Sequence, residues 1–185
     1  MVSTRSSTEL VRLAPEEVLA RRAEIAGVWT WVTGDRVGEI LPRHAARDAF
    51  TFLAAVDSGG HIVGFAYGYC GGPGQWWHDA VRAAMTPAQR KQWLRPGHVE
   101  LAELHVAPAW RRQGLGSRLH DELLASYPDA LTSLLSTQTG NAPALALYEP
   151  RGWVTVVPEL RFASHGEPYA ILGLDLAGTR ARKAV

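Results

Sequence analysis

A chain of 185 residues with one cysteine, Cys70, can form no internal disulfide, and nothing in its composition points to an oxidising compartment. No apolar run approaches the length of a membrane span, and the first ten residues lack the apolar stretch of a secretory leader. Charge of either sign is also missing in excess: 19 basic residues face 18 acidic ones, too even a balance for a nucleic-acid or anionic-membrane binder. Seven histidines show neither C-x-x-C nor H-E-x-x-H spacing, so the linear sequence predicts no metal. There is no repeat, linker or low-complexity segment. These absences predict a cytoplasmic, metal-free protein with one domain over residues 1–177, large enough to bury its own core. The basic end, residues 178–185, is expected to be disordered.

What is present reads as alternating strands and helices. Thr8–Leu13 alternates weakly as a strand, and Pro15 followed by Glu16 and Glu17 starts a helix expected to reach about Ala26. FTFLAAV and IVGFAYGY flank the turn cluster DSGGH and predict a hairpin from Phe50 to Tyr69. Residues 71–97 then read as a helical insert of two short helices. The second opens on Thr86-Pro87-Ala88-Gln89, a hydroxyl cap with Pro at the first helical position and Gln at the third. HVELAELHV is a strand, and GLGSRLHDELLASY a helix with Leu115, Leu119 and Leu123 on one stripe. LTSLLST predicts a strand, NAPALALYEP a short helix closed by Pro150, and WVTVV and YAILGLDL a final pair of strands.

The junction RRQGLGSRLH, Arg111–His120, concentrates charge and glycine between strand and helix. Free N–H groups in the first turn of a helix, the helix dipole and two arginines suit a phosphate-bearing ligand, although a plain connecting loop uses the same residues. A dinucleotide turn requires a third glycine where Leu119 stands, and a Walker loop requires lysine where Gly116-Ser117-Arg118 offers none. What remains is R-x-x-G-x-G at Arg111–Gly116, after a strand ending L-x-V-x-P and about 25 residues before N-x-x-A-x-x-L-Y at Asn141–Tyr148.

This combination, over roughly Val99–Trp153, resembles the GNAT superfamily of acyl-CoA-dependent N-acyltransferases. The resemblance implies an α/β fold of the α+β type, with a mixed, largely antiparallel central sheet flanked by helices. The helical insert then lies between the central hairpin and the coenzyme-binding strand. It implies acetyl-CoA as co-substrate, no metal, and transfer of an acetyl group to a primary amine of a small molecule or peptide by direct attack through a tetrahedral intermediate. A homodimer is compatible with it.

Carried over residue by residue, the resemblance gives Leu104, His105 and Val106 backbone bonds to the pantetheine arm. It wraps the pyrophosphate in Arg111, Arg112, Gln113, Gly114, Leu115, Gly116 and Ser117. Asn141 is placed on the same arm, or is simply a helix cap. Tyr148 resembles the acid that protonates the leaving thiolate. Glu100 and Glu103 are the candidate bases; an odd number apart on a strand, they face opposite sides, and Glu100 is favoured.

Trp76, Trp77 and Trp93 in the insert are candidates for an acceptor wall, against the alternative that they pack the insert down. Asp79 against Arg82, Arg90, Lys91 and Arg95 makes the insert a poor lining for a polycation and favours an acceptor with a neutral or acidic part. Two other readings stay open: a coenzyme A-binding sensor without turnover, and transfer of a longer acyl group.

Overall fold

The computed structural model describes residues 7–33, 37–162 and 166–183. In chain order the first elements are β1 (Glu9–Leu13), α1 (Pro15–Ala20), α2 (Arg22–Thr33), α3 (Val37–Ala45), β2 (Thr51–Val56), β3 (Ile62–Cys70), α4 (Trp76–Ala84) and α5 (Pro87–Trp93). They are followed by β4 (Val99–Val106), α6 (Leu115–Ala125), β5 (Thr132–Gln138), α7 (Ala142–Tyr148), β6 (Val154–Leu160), β7 (Tyr169–Asp175) and α8 (Leu176–Lys183). The strands form a seven-stranded sheet in the order β1-β2-β3-β4-β5-β7-β6. The β4–β5 pair is parallel, whereas β1–β2, β2–β3, β5–β7 and β6–β7 are antiparallel. The predicted mixed, largely antiparallel sheet with flanking helices is therefore what the chain forms.

The chain divides into two compact units, Met1–Tyr69 with Ala102–Ser126, and Cys70–Leu101 with Tyr127–Val185. In the first, the β2–β3 hairpin closes through Asp57, whose Oδ1 accepts from the N–H groups of Gly59 and His61 at 2.9 Å each. Such a carboxylate turn is why the DSGGH cluster reverses the chain. Glu17 accepts from the N–H of Ala14 and starts α1 as the sequence predicts. The helix breaks at Arg21, and α2 then runs seven residues past the expected end at Ala26 to Thr33. Helix α3 was not predicted, because Pro42 lies inside it. Val18, Ile25, Trp29, Leu41, Phe52, Phe65 and Tyr67 make the core, and the Leu115, Leu119 and Leu123 stripe of α6 is buried.

His44 on α3 lies in that unit with its ring 4.9 Å from Tyr69 and its Nδ1 3.0 Å from the Tyr67 hydroxyl. Burial, and then the cations of Arg47 and Arg43, hold its pKa down at about 3. An unfolded histidine titrates near 6.5, so between those values the unfolded chain binds a proton that the folded one refuses. The contribution to stability is intact above about pH 6.5 and is lost as pH falls toward 3, at roughly 1.4 kcal/mol per pH unit at most. Urea midpoints measured from about pH 7 to about pH 4.5 are therefore expected to fall more steeply for the wild type than for His44→Gln.

The second unit is built on seven consecutive β5–β7 pairs, from Thr132↔Asp175 to Gln138↔Tyr169. Val81, Met85, Trp93, Leu134, Val156 and Ile171 pack its core. A Cβ at Gly173 would lie 2.7 Å from the Trp93 ring, so the glycine makes the socket for that indole. The Thr86 cap forms as predicted: its hydroxyl accepts from Gln89 N–H, and the Gln89 side chain returns to the N–H of Thr86. Two expectations need correction. Pro150 does not close α7, because a 3-10 turn carries Glu149–Arg151 on to Gly152, whose φ of 87° ends it. The tail expected to be disordered is helical through Lys183. Asp175 caps α8 by accepting from Gly178 N–H, and Arg180 donates to the carbonyls of Tyr127 and Ala130.

Candidate active site

In the first unit, Ala102–Val106 of β4 has β3 as its strand neighbour, and the β4–β5 ladder consists of Val99↔Ser133 and Glu100↔Leu134 alone. Past Glu100 the strand therefore keeps one ladder edge, around Leu104, His105 and Val106, without a strand partner among the described residues. Such an edge suits the amides of an extended ligand. His105 is buried, stacks on Trp29 at 5.5 Å and pairs through Nε2 with Glu103 Oε2 at 2.7 Å. Packing on Trp29 and the bond to Glu103 account for its side chain.

The strand ends in a 3-10 turn, Pro108–Trp110, and then in the Arg111–Gly116 junction. Arg111 Nε donates to the carbonyl of Val106 at 2.8 Å, which folds the turn back on the strand. Gln113 does the same to Ala109 at 3.1 Å. Gly114 caps α6 with φ of 79°, and a Cβ there would meet nothing within 4 Å, so the requirement is conformational. Arg112 also lies in the left-handed region, at φ 59°, where arginine is uncommon. It is exposed and has no hydrogen-bond or ion-pair partner among the described residues. The first intrahelical bond made across the turn is Arg118 N–H to Gly114 O, so the N–H groups of Leu115, Gly116 and Ser117 have no backbone partner among the described residues. Eleven residues of α6 stand behind them.

In the second unit, Glu100 is 2% exposed, beside two buried imidazoles. His78 of α4 places Nδ1 3.7 Å from Glu100 Oε1 and 3.3 Å from His98 Nε2. His98 Nδ1 lies 2.9 Å from the Arg95 carbonyl and donates to it, which leaves the Nε2 lone pair turned toward His78. Burial lowers the His98 pKa, against the Arg95 hydrogen bond, which raises it. A Cβ at Gly71 would collide with His98 Nε2 and lie 2.5 Å from Glu100 Oε1, so this cluster requires glycine there. Glu103 instead has His105 as its side-chain partner.

Asn141 caps α7, its side-chain oxygen accepting from Ala144 N–H at 3.2 Å. The Tyr148 ring is buried and tilted against Trp153 at 5.6 Å. Among the insert tryptophans, Trp93 lies in the core and Trp77 donates to Ser136 Oγ at 3.1 Å. Trp76 is 55% exposed and meets Phe162. Two of the three therefore fasten the insert. Sequence reading missed His78 and His98. They come from α4 and from the residue just before β4, 20 positions apart, and no linear spacing marks them.

A sequence model of the acetyltransferase (GNAT) family matches residues 24–153. A GCN5-like protein acetyltransferase of Mycobacterium tuberculosis is 36% identical over 155 residues, covering 80% of this chain and 75% of that protein. The ribosomal-protein-S18-alanine N-acetyltransferase of Escherichia coli superposes with a TM-score of 0.64 at 16% identity, over 92% of this chain and 94% of the other. An acetyltransferase structure from Salmonella typhimurium with acetyl-CoA bound gives 0.63 at 16%, over 92% and 95%. No helix among the described residues is long and apolar enough to cross a membrane.

Proposed function

This chain belongs to the GNAT acetyltransferase family, and from that premise we propose that it moves an acetyl group from acetyl-CoA to a primary amine of a peptide or protein. Acetyl-CoA is the co-substrate, and the family's reaction needs no metal. The observation that carries the reading is the Arg112–Gly114 turn opening α6, with left-handed Arg112 and Gly114, and with helix N–H groups and an exposed guanidinium that have no partner among the described residues. These residues fit a pyrophosphate. When bound, the coenzyme supplies an activated thioester. The chain's own residues do the rest: the Leu104–Val106 edge orients the pantetheine arm, Glu100 takes the amine proton, and Tyr148 holds a proton for the departing sulfur. The protein acetyltransferase among the relatives and the basic insert together favour an amine with neutral or acidic neighbours. Incubation with acetyl-CoA and a panel of acidic, neutral and basic peptides, read by thiol release, tests this. Acetylation of basic peptides alone would overturn the acceptor class.

Gly116 lies inside α6, where alanine is a better helix former than glycine by about 1 kcal/mol. Gly116→Ala is therefore expected to melt no lower than the wild type, while its added methyl group crowds the approach of phosphate to the turn. Calorimetry is expected to show at least about tenfold weaker acetyl-CoA binding, a loss of about 1.4 kcal/mol. Unchanged affinity would remove the turn from the coenzyme site.

A further inference from the structure

We propose that His78, His98 and Glu100 form a binding site for a divalent ion of the zinc type, and that the bound ion arrests transfer by taking the Glu100 carboxylate. The second clause rests on the reading of Glu100 as the base; the first does not. The ligand atoms all lie within 4.8 Å of one another, with the imidazole nitrogens 3.3 Å apart and His78 Nδ1 3.7 Å from Glu100 Oε1. Zinc bonds of about 2.0–2.2 Å place neighbouring ligands of a tetrahedron about 3.3–3.6 Å apart, so the two separations to His78 Nδ1, 3.3 and 3.7 Å, are close to those of a bound ion. Two nitrogens and one carboxylate select zinc, cobalt or copper over magnesium or calcium, and three protein ligands leave one position open.

The surroundings are those of a prepared site. His98 donates Nδ1–H to the Arg95 carbonyl, the outer-shell bond that fixes a ligating imidazole with its other nitrogen facing the metal. His98 immediately precedes β4 and Glu100 is its second residue, and both side chains reach the space beside Gly71. Helix α4, which brings His78, is held by Trp77 on Ser136, by buried Val81, and at its start by Asp79 Oδ2 accepting from Gly74 N–H. Gly71 keeps the space beside the ligand atoms clear of a side chain, and its N–H donates to the His98 carbonyl. On binding, His78 gives its Nδ1 lone pair to the ion and carries its proton on Nε2, so its hydrogen bond to His98 is replaced by two metal bonds.

The test is titration of the metal-stripped, full-length protein with Zn²⁺ and Co²⁺ against a chromophoric chelator. One ion per chain is expected, with the intense visible bands of four- or five-coordinate cobalt. Affinity should drop by more than about 100-fold in His98→Ala, and stay unchanged in His61→Ala, an exposed histidine. Should His98→Ala fail to fold, His78→Gln and Glu100→Gln, checked by thermal melting, carry the same expectation. Binding that survives in these variants, or the weak spectrum of octahedral cobalt, overturns the site. Zinc is further expected to stop turnover reversibly with chelator. Zinc bound at the site with turnover unaffected would overturn the second clause alone.

Discussion

Tyr148→Phe is expected to bind acetyl-CoA as tightly as the wild type and to turn over about 10²- to 10⁴-fold more slowly, the usual worth of a general acid. The substitution removes one oxygen and keeps the ring, which is buried against Trp153, so the packing that holds α7 survives. A thiolate leaving without a proton is a poorer leaving group than a thiol. Free phenols and thiols titrate near 10 and 8.5, close enough that placement rather than driving force decides the transfer. The measurement is single-turnover kinetics at saturating acceptor, so that product release does not mask the chemical step. An undiminished rate would take Tyr148 out of the mechanism and leave water or the acceptor as the proton source.

Glu100→Gln is expected to lose a similar factor, about 10²- to 10⁴-fold in kcat, and Glu103→Gln less than about tenfold. The two carboxylates sit three residues apart on one strand, yet their neighbours differ. Glu103 is tied to His105 at 2.7 Å and is partly exposed, an arrangement that locks an imidazole against Trp29. Glu100 is enclosed by the buried imidazoles of His78 and His98 and is shielded from water. Glutamine fills the same volume and accepts hydrogen bonds but takes up no proton at neutral pH. Coenzyme affinity, measured by calorimetry, is expected to be unchanged in both variants. A larger loss in Glu103→Gln would exchange the two roles.

Much of this architecture is written locally. The hairpin is legible because Asp57 and two glycines turn the chain by their own hydrogen bonds, and α6 because Leu115, Leu119 and Leu123 recur at helical spacing. The glycine turn before α6 is legible for the same reason: its residues are contiguous. What stayed hidden depends on partners distant in sequence. Helix α3 forms around Pro42 through packing that its sequence does not announce, with Leu41 fully buried. The basic end becomes a helix because Arg180 finds carbonyls 50 and 53 residues away. Trp93, offered by sequence as an acceptor wall, is drawn into the core by a glycine 80 positions later. His78 and His98 meet only once the insert has folded, so spacing rules for metal ligands pass over them.

Arg112 sits in the left-handed region at φ 59°. Holding a residue with a Cβ in the left-handed region costs on the order of 1 kcal/mol that glycine would not incur, and no hydrogen bond or ion pair among the described residues offsets it. Under selection for heat resistance alone, without coenzyme present, this position would drift to glycine or asparagine, and the fold would gain by it. On the proposal that this turn holds pyrophosphate, arginine at 112 exchanges that stability for a charge beside the ligand, so the residue at this position is expected to follow the use of the turn.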